Sequence, residues 1–184
     1  MTVIVGVADR GTVWLGGDSC VSAEDFTERV EGGKVFRRGD LLIGSSWSLR
    51  ASQVVRHEME VPKYQGSMSP IQYMVRKFIP ELRSSLSGSG CLKNESGELR
   101  TQFTMCVGLH GSIFTIHQDF CVCQSDTGYM AIGSGRDFAI GSLATTQNMR
   151  IIAKKRVELA MLAAAEHSGS VAGPFRILSL KSSL

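Results

Sequence analysis

The chain reads as buried core from its second residue, Thr2, onward, and this constrains where its first strand can lie. In "MTVIVGVADRGTVWLGGDS", Val3, Val5 and Val7 alternate with Thr2, Ile4 and Gly6. β-Branched residues on both faces mark a strand covered from both sides. Asp9-Arg10-Gly11 reads as a turn, and residues 12–19 return as a second strand, so the chain opens with a β-hairpin. A terminus lying on a surface frays and reads as polar. This one is expected to be held in place within a sheet.

The same reading carries along the chain. Gly32-Gly33 breaks it before "KVFRRGDLLIGSS", a second hairpin turning at Gly39-Asp40. Ser48 is placed to cap a helix with Ala51, Val54 and Val55 on its apolar face, and Ser69-Pro70 starts another with Ile71, Met74, Val75, Phe78 and Ile79 as its stripe. Pro80 is expected to kink or end that helix, and "SSLSGSGCLKNESGE" reads as a polar surface loop. Strands return in "TQFTMCVGL", "SIFTIHQ", "FCVCQ" and "YMAIGSG", helices fit residues 137–147 and 154–167, and "PFRILSL" closes as a strand. Strands, two helices, strands, two helices and a strand predict an α+β protein of packed sheets with helices outside. Its 184 residues suit one domain, 1–184, large enough to bury a core without staples.

Charge and composition exclude several partners. A net charge of +3, with the basic residues scattered, predicts no nucleic-acid partner. No apolar run approaches the ~18 residues of a membrane span, and residues 2–8 lack the basic region of a signal peptide. Five cysteines and no secretory signal read as reduced thiols in a cytoplasm.

Chemistry concentrates at the start of the chain. If Met1 is removed, Thr2 carries a hydroxyl and a free α-amine a few ångströms apart. An amine with a pKa near ~8 can serve as general base to the hydroxyl beside it. A threonine at position 2 by itself signals only easy methionine removal. Asp18, closing "WLGGD", and Lys34, opening the next hairpin, add weight: both are charged residues in apolar strands, where charges are stable when paired. A lysine beside the Thr2 hydroxyl favours its deprotonated form. His117, Cys121 and Cys123 in "HQDFCVC" have alternate spacing but no further paired ligands, so no metal is assigned and the cysteines read as core. "GSGRDFAIGS" lacks the phosphate-loop lysine and reads as a tight turn opening a helix. His57, His110 and His167 have no triad context, and no cofactor is called for.

These segments resemble the proteasome β-type N-terminal-nucleophile peptidases, and most of all the bacterial peptidase subunit of the HslUV type. "TVIVGVADRGTVWLGGDS", "GGKVFRRGDLLIGSS" and "AIGSGRDFAIGSL" carry the likeness, strongest over residues 2–45 and 130–143. Thr2, Asp18 and Lys34 fall at the family's two sixteen-residue intervals, and Ser134 matches the serine of its Gly-Ser-Gly turn. The resemblance implies an αββα sandwich, threonine attack on a peptide carbonyl, Asp18 orienting Lys34, and Ser134 supporting the threonine amine. It also implies a homo-oligomeric ring, unfolded polypeptide substrates and an ATP-driven unfoldase partner. The alternatives are a catalytically silent shell or assembly protein, and a small-molecule amidase of the same fold.

Two segments depart from the family's pattern. Where glycines normally supply the oxyanion-hole N–H, this chain reads "GSSWSLRASQ", so Ser45, Ser46 or Trp47 would provide it and the indole is expected to narrow or fill the pocket. Near the C-terminus "AAAEHSGSVAG" has no aspartate in register, leaving Ser168 and Ser170 as supporting candidates.

Overall fold

The computed structural model describes residues 2–23, 26–29, 31–169 and 171–182. Its first strand, β1 (Val3–Asp9), lies in the interior of a four-stranded antiparallel sheet between β12 (Tyr129–Gly133) and β2 (Thr12–Asp18), with β13 (Phe175–Lys181) beyond β2. Hydrogen bonding on both edges satisfies the β1 backbone, which is why residues 3–7 can all be buried. Arg10 (φ 47°) and Gly11 (φ 74°) make the two-residue turn into β2, the left-handed pair that matches the twist of the hairpin.

A second, five-stranded antiparallel sheet runs β11 (Val122–Gln124), β10 (Ser112–Ile116), β9 (Phe103–Leu109), β6 (Leu41–Trp47) and β5 (Val35–Arg38). The two sheets face each other across Ile4, Val13, Leu15, Val35, Leu42, Cys106 and Ile113. Burying each of the larger aliphatic side chains contributes roughly 1.5–3 kcal/mol. A Cβ on Gly44 would lie 2.5 Å from Ile4 Cγ2, so the glycine lets β6 close onto β1 and brings the ends of the two strands together. Burial in this layer drives the Cys106 thiol pKa up to about 12.

Helices cover both outer faces. α4 (Arg136–Thr146) and α5 (Ala153–His167) pack on the first sheet through Leu143, Val157, Ala160, Met161 and Ala164. The second sheet is covered by α1 (Leu49–Gln53), α2 (Pro70–Tyr73) and α3 (Ile79–Gly88) together with two π-helical turns, Val54–Glu58 and Met74–Phe78. The architecture is the expected αββα sandwich. Ser48 caps α1, and Ser69 and Gln72 form a reciprocal capping box on α2. Among the described residues, no helix is long and apolar enough to cross a membrane.

Several local expectations are corrected. Pro80 does not end its helix, because the π turn Met74–Phe78 precedes it and Pro80 enters in the first turn of α3, where its missing N–H costs least. The segment read as a polar loop continues α3 and then forms a hairpin, β7 (Leu92–Glu95) with β8 (Glu98–Thr101), turning at Ser96 (φ 54°) and Gly97 (φ 87°). A further hairpin, β3 (Cys20–Ala23) with β4 (Phe26–Arg29), intervenes before β5. Cys121 and Cys123 are exposed rather than core, since β11 is an edge strand and only Val122 between them packs inward.

Candidate active site

Thr2 sits where the two sheets meet, at the head of β1, and is 4% exposed. Antiparallel pairing sets Val3 beside Gly133 and Ile4 beside Gly17. It therefore brings the end of β2 and the end of β12 against the residue that begins the chain's first strand.

Asp18 ends β2 and is fully buried. Its Oδ1 accepts the Val3 N–H at 2.9 Å, and its Oδ2 accepts from Lys34 Nζ at 2.7 Å. Lys34, 6% exposed, also donates from Nζ to Thr2 Oγ1 at 2.6 Å. The carboxylate thus fixes both the backbone next to Thr2 and the ammonium that touches the hydroxyl. Buried charges are tolerable in this paired, hydrogen-bonded form. An ammonium donating to Oγ1 stabilises negative charge there.

The Gly133-Ser134-Gly135 turn grips Thr2 from the other side. The Thr2 nitrogen, a peptide N–H while Met1 is attached, donates to Ser134 Oγ at 3.1 Å. The Thr2 carbonyl accepts from Ser134 Oγ and from the Gly135 N–H, both at 3.3 Å. Gly133 has φ 95°, and a Cβ there would lie 2.2 Å from the Thr2 carbonyl oxygen. Only glycine permits that approach.

A cleft of about 460 Å³ opens beside the hydroxyl, lined by Thr2, Lys34, Ser45, Ser46 and Trp47 among others. The Ser45 N–H is already given to the Lys34 carbonyl (3.3 Å), and its hydroxyl donates to Ser52 Oγ at 2.8 Å. Ser46 faces the other edge, paired with Thr104 of β9. Alternation then turns the Trp47 N–H to the same edge as that of Ser45, past the end of β5. The indole neither fills nor walls off the cleft: Trp47 is 73% exposed at its rim, with φ 84°, a conformation that a bulky residue adopts at a cost.

Ser168 stands at the end of α5, its N–H on the Ala164 carbonyl and its carbonyl taking the Val171 N–H. Val171 packs against Gly135, so this segment backs the Gly-Ser-Gly turn. Ser170 lies outside the described residues. Among the described residues no three His, Cys, Asp or Glu side chains gather as a metal site.

Sequence reasoning missed Ser52, Gln53, Arg56 and His57, which line the same cleft from α1 and the π turn after it, and Glu31 at its rim. The helical run after Ser48 gave no sign that its first turns face the cleft.

In sequence, the chain matches no family model and no curated protein. Solved structures do resemble it. The BPH protein of Thiobacillus denitrificans superposes with a TM-score of 0.83 at 17% identity, covering 98% of each chain; its complex with epoxomicin scores 0.81. HslV of Trypanosoma brucei scores 0.68 at 19% identity, covering 97% of this chain and 99% of that one. The Anbu complex of Pseudomonas aeruginosa, a helical assembly, scores 0.67 at 14% identity, covering 97% of this chain and 81% of that one. The fold is that of the proteasome-type N-terminal-nucleophile hydrolases.

Proposed function

We propose that this chain is an N-terminal threonine peptidase. The observation that carries the reading is the Lys34 ammonium bridging Thr2 Oγ1 and Asp18 Oδ2 at 2.6 and 2.7 Å inside a buried site. After removal of Met1, the freed α-amine takes the Thr2 hydroxyl proton. Oγ1 attacks the substrate carbonyl, and the oxyanion is met by the Trp47 N–H. The intermediate collapses as the protonated α-amine of Thr2 passes that proton to the departing amine, leaving an ester on Thr2. A water molecule, deprotonated by the same amine, then releases the acid and restores the hydroxyl. Lys34 stabilises the attacking oxygen, Asp18 holds Lys34 in line, and Ser134 orients the amine. Ser168 backs the turn from behind. The epoxomicin complex of the structurally similar BPH protein supports a peptide-accepting cleft in this fold.

The substrates in this reading are unfolded polypeptides. The protein works as a homo-oligomeric ring in the cytoplasm, supplied by an ATP-driven unfoldase, as the resemblance of its Thr2, Asp18, Lys34 and Ser134 pattern to the HslUV-type subunit implies; the helical assembly of the structurally similar Anbu protein supports self-association. The whole chain, 1–184, acts as one domain.

The test is hydrolysis of fluorogenic peptides by purified, assembled protein. Thr2→Ala removes the nucleophile alone and is expected to abolish turnover with folding unchanged, while Thr2→Ser retains part of it. Undiminished hydrolysis by Thr2→Ala would refute the proposal.

A further inference from the structure

Arg56 stands out among the cleft residues because it is held rigidly and has no counter-ion among the described residues. It lies on the π turn Val54–Glu58. Arg38 fixes that turn by donating to the carbonyls of Val55 (3.2 Å), Arg56 and Met59 (2.6 Å). The Arg56 guanidinium lies over the Phe36 ring, 4.3 Å from its centroid, and Nη2 donates to the Gly33 carbonyl at 2.6 Å. Gly33 immediately precedes Lys34, so this anchor sets Arg56 in the wall beside the nucleophile. π turns inserted in helices recur at functional sites.

One of its donors, Nε, is buried and finds no partner among the described residues. Among the described residues, no carboxylate forms an ion pair with Arg56; the ion pair in the cleft is Lys34 with Asp18. Glu31, the acid lining the cleft, is exposed at the rim. Arg176 adds to the positive field from the far side of Gly32, donating to that residue's carbonyl at 2.5 Å. Burial, followed by repulsion from Arg176, pushes the Arg56 pKa down. A half-buried guanidinium with an open donor and no acid is costly unless an anion arrives. The group that matches its planar fork is a carboxylate.

We propose that Arg56 makes this wall of the cleft a carboxylate-binding subsite, so that the protein selects polypeptide segments with an acidic side chain on the acyl side of the cut. The proposal rests on the peptidase reading above and adds the substrate class to it. Arg56 is pre-ordered by Phe36, Gly33 and Arg38, so little side-chain freedom is lost when the carboxylate docks.

The experiment uses assembled Thr2→Ala protein, which binds without cutting, and fluorescein-labelled acyl-Ala-Ala-X-amide peptides with X as Glu, Gln or Lys, read by fluorescence anisotropy. A charge-assisted contact predicts that the Glu peptide binds roughly tenfold or more tighter than Gln, with Lys weakest. Arg56→Gln brings Glu down to the level of Gln, and Arg56→Glu turns the preference towards Lys. Should these variants fail to fold, the Glu-to-Gln ratio of protein retaining Arg56 is followed with salt and is expected to shrink as ionic strength rises. Equal affinities, no binding of the Glu peptide, a ratio indifferent to salt, or a preference that survives in folded Arg56→Gln overturns the proposal. Hydrolysis by protein retaining Thr2 separates the two readings. Cleavage of neither the Glu nor the Gln peptide sinks the peptidase, whereas cleavage without a Glu preference sinks only the subsite.

Discussion

The close approach of Gly133 to Thr2 predicts the effect of one methyl group. In Gly133→Ala the new Cβ would lie 2.2 Å from the Thr2 carbonyl oxygen, where real Cβ atoms keep beyond 3.0 Å, so the turn and the threonine must separate by about 0.8 Å. The neighbouring obstacle is backbone, not a flexible side-chain end, so the strain cannot be relieved by a rotamer change. At φ 95° alanine adds a further cost of roughly 1–2 kcal/mol. Together with overpacking of about 1–3 kcal/mol, the loss of stability should reach about 2–5 kcal/mol. The separation also stretches the Ser134 and Gly135 hydrogen bonds that fix the Thr2 backbone, now 3.1 to 3.3 Å. A misplacement approaching 1 Å is enough to cost about 100-fold in rate. The assay pairs thermal melting with kcat/KM on a fluorogenic peptide, at a temperature where the variant is folded. Wild-type kcat/KM in folded Gly133→Ala would refute the idea that this turn positions Thr2.

Asp18 and Lys34 should behave as one unit. Asp18→Ala and Lys34→Ala each abolish most hydrolysis and lower the melting temperature by leaving a lone buried charge, a cost of about 3–5 kcal/mol. The double variant is expected to lose much less stability than the two singles added together, and additive losses in the double-mutant cycle would contradict the pairing. At Trp47 the strained φ predicts that Trp47→Gly is more stable than Trp47→Ala by about 1 kcal/mol, seen as roughly 2–4 °C in melting temperature. Alanine equal to or above glycine would show that the backbone carries no such cost.

What the sequence revealed and what it concealed follow from the range of the interactions. Thr2, Asp18 and Lys34 were legible because strand register turns fixed spacing into contact, and the β1–β2 hairpin fixes that register locally. Ser134 was reached through a motif, since nothing local relates residue 134 to residue 2. The place of Arg56 in the cleft was invisible because it depends on Gly33 and Phe36, which hold the guanidinium from another part of the chain. The π turns resemble α-helix in apolar spacing, differing only in hydrogen-bond register. Polar two-stranded ribbons such as β7–β8 offer almost no buried face to read. Trp47 was misjudged for a related reason: a left-handed φ at the end of β6 swings the indole out to solvent, and no sequence pattern announces that bend.

The proposed chemistry requires Thr2, as a free N-terminus, to be the nucleophile. The most direct measurement is mass spectrometry of the N-terminal peptide after assembled protein is incubated with a small peptide epoxyketone or boronate. The expected result is a mature chain starting at Thr2, with the probe attached to that residue and absent from Lys34→Ala protein. Assembled protein that begins at Thr2 yet takes up no probe at that residue would contradict it.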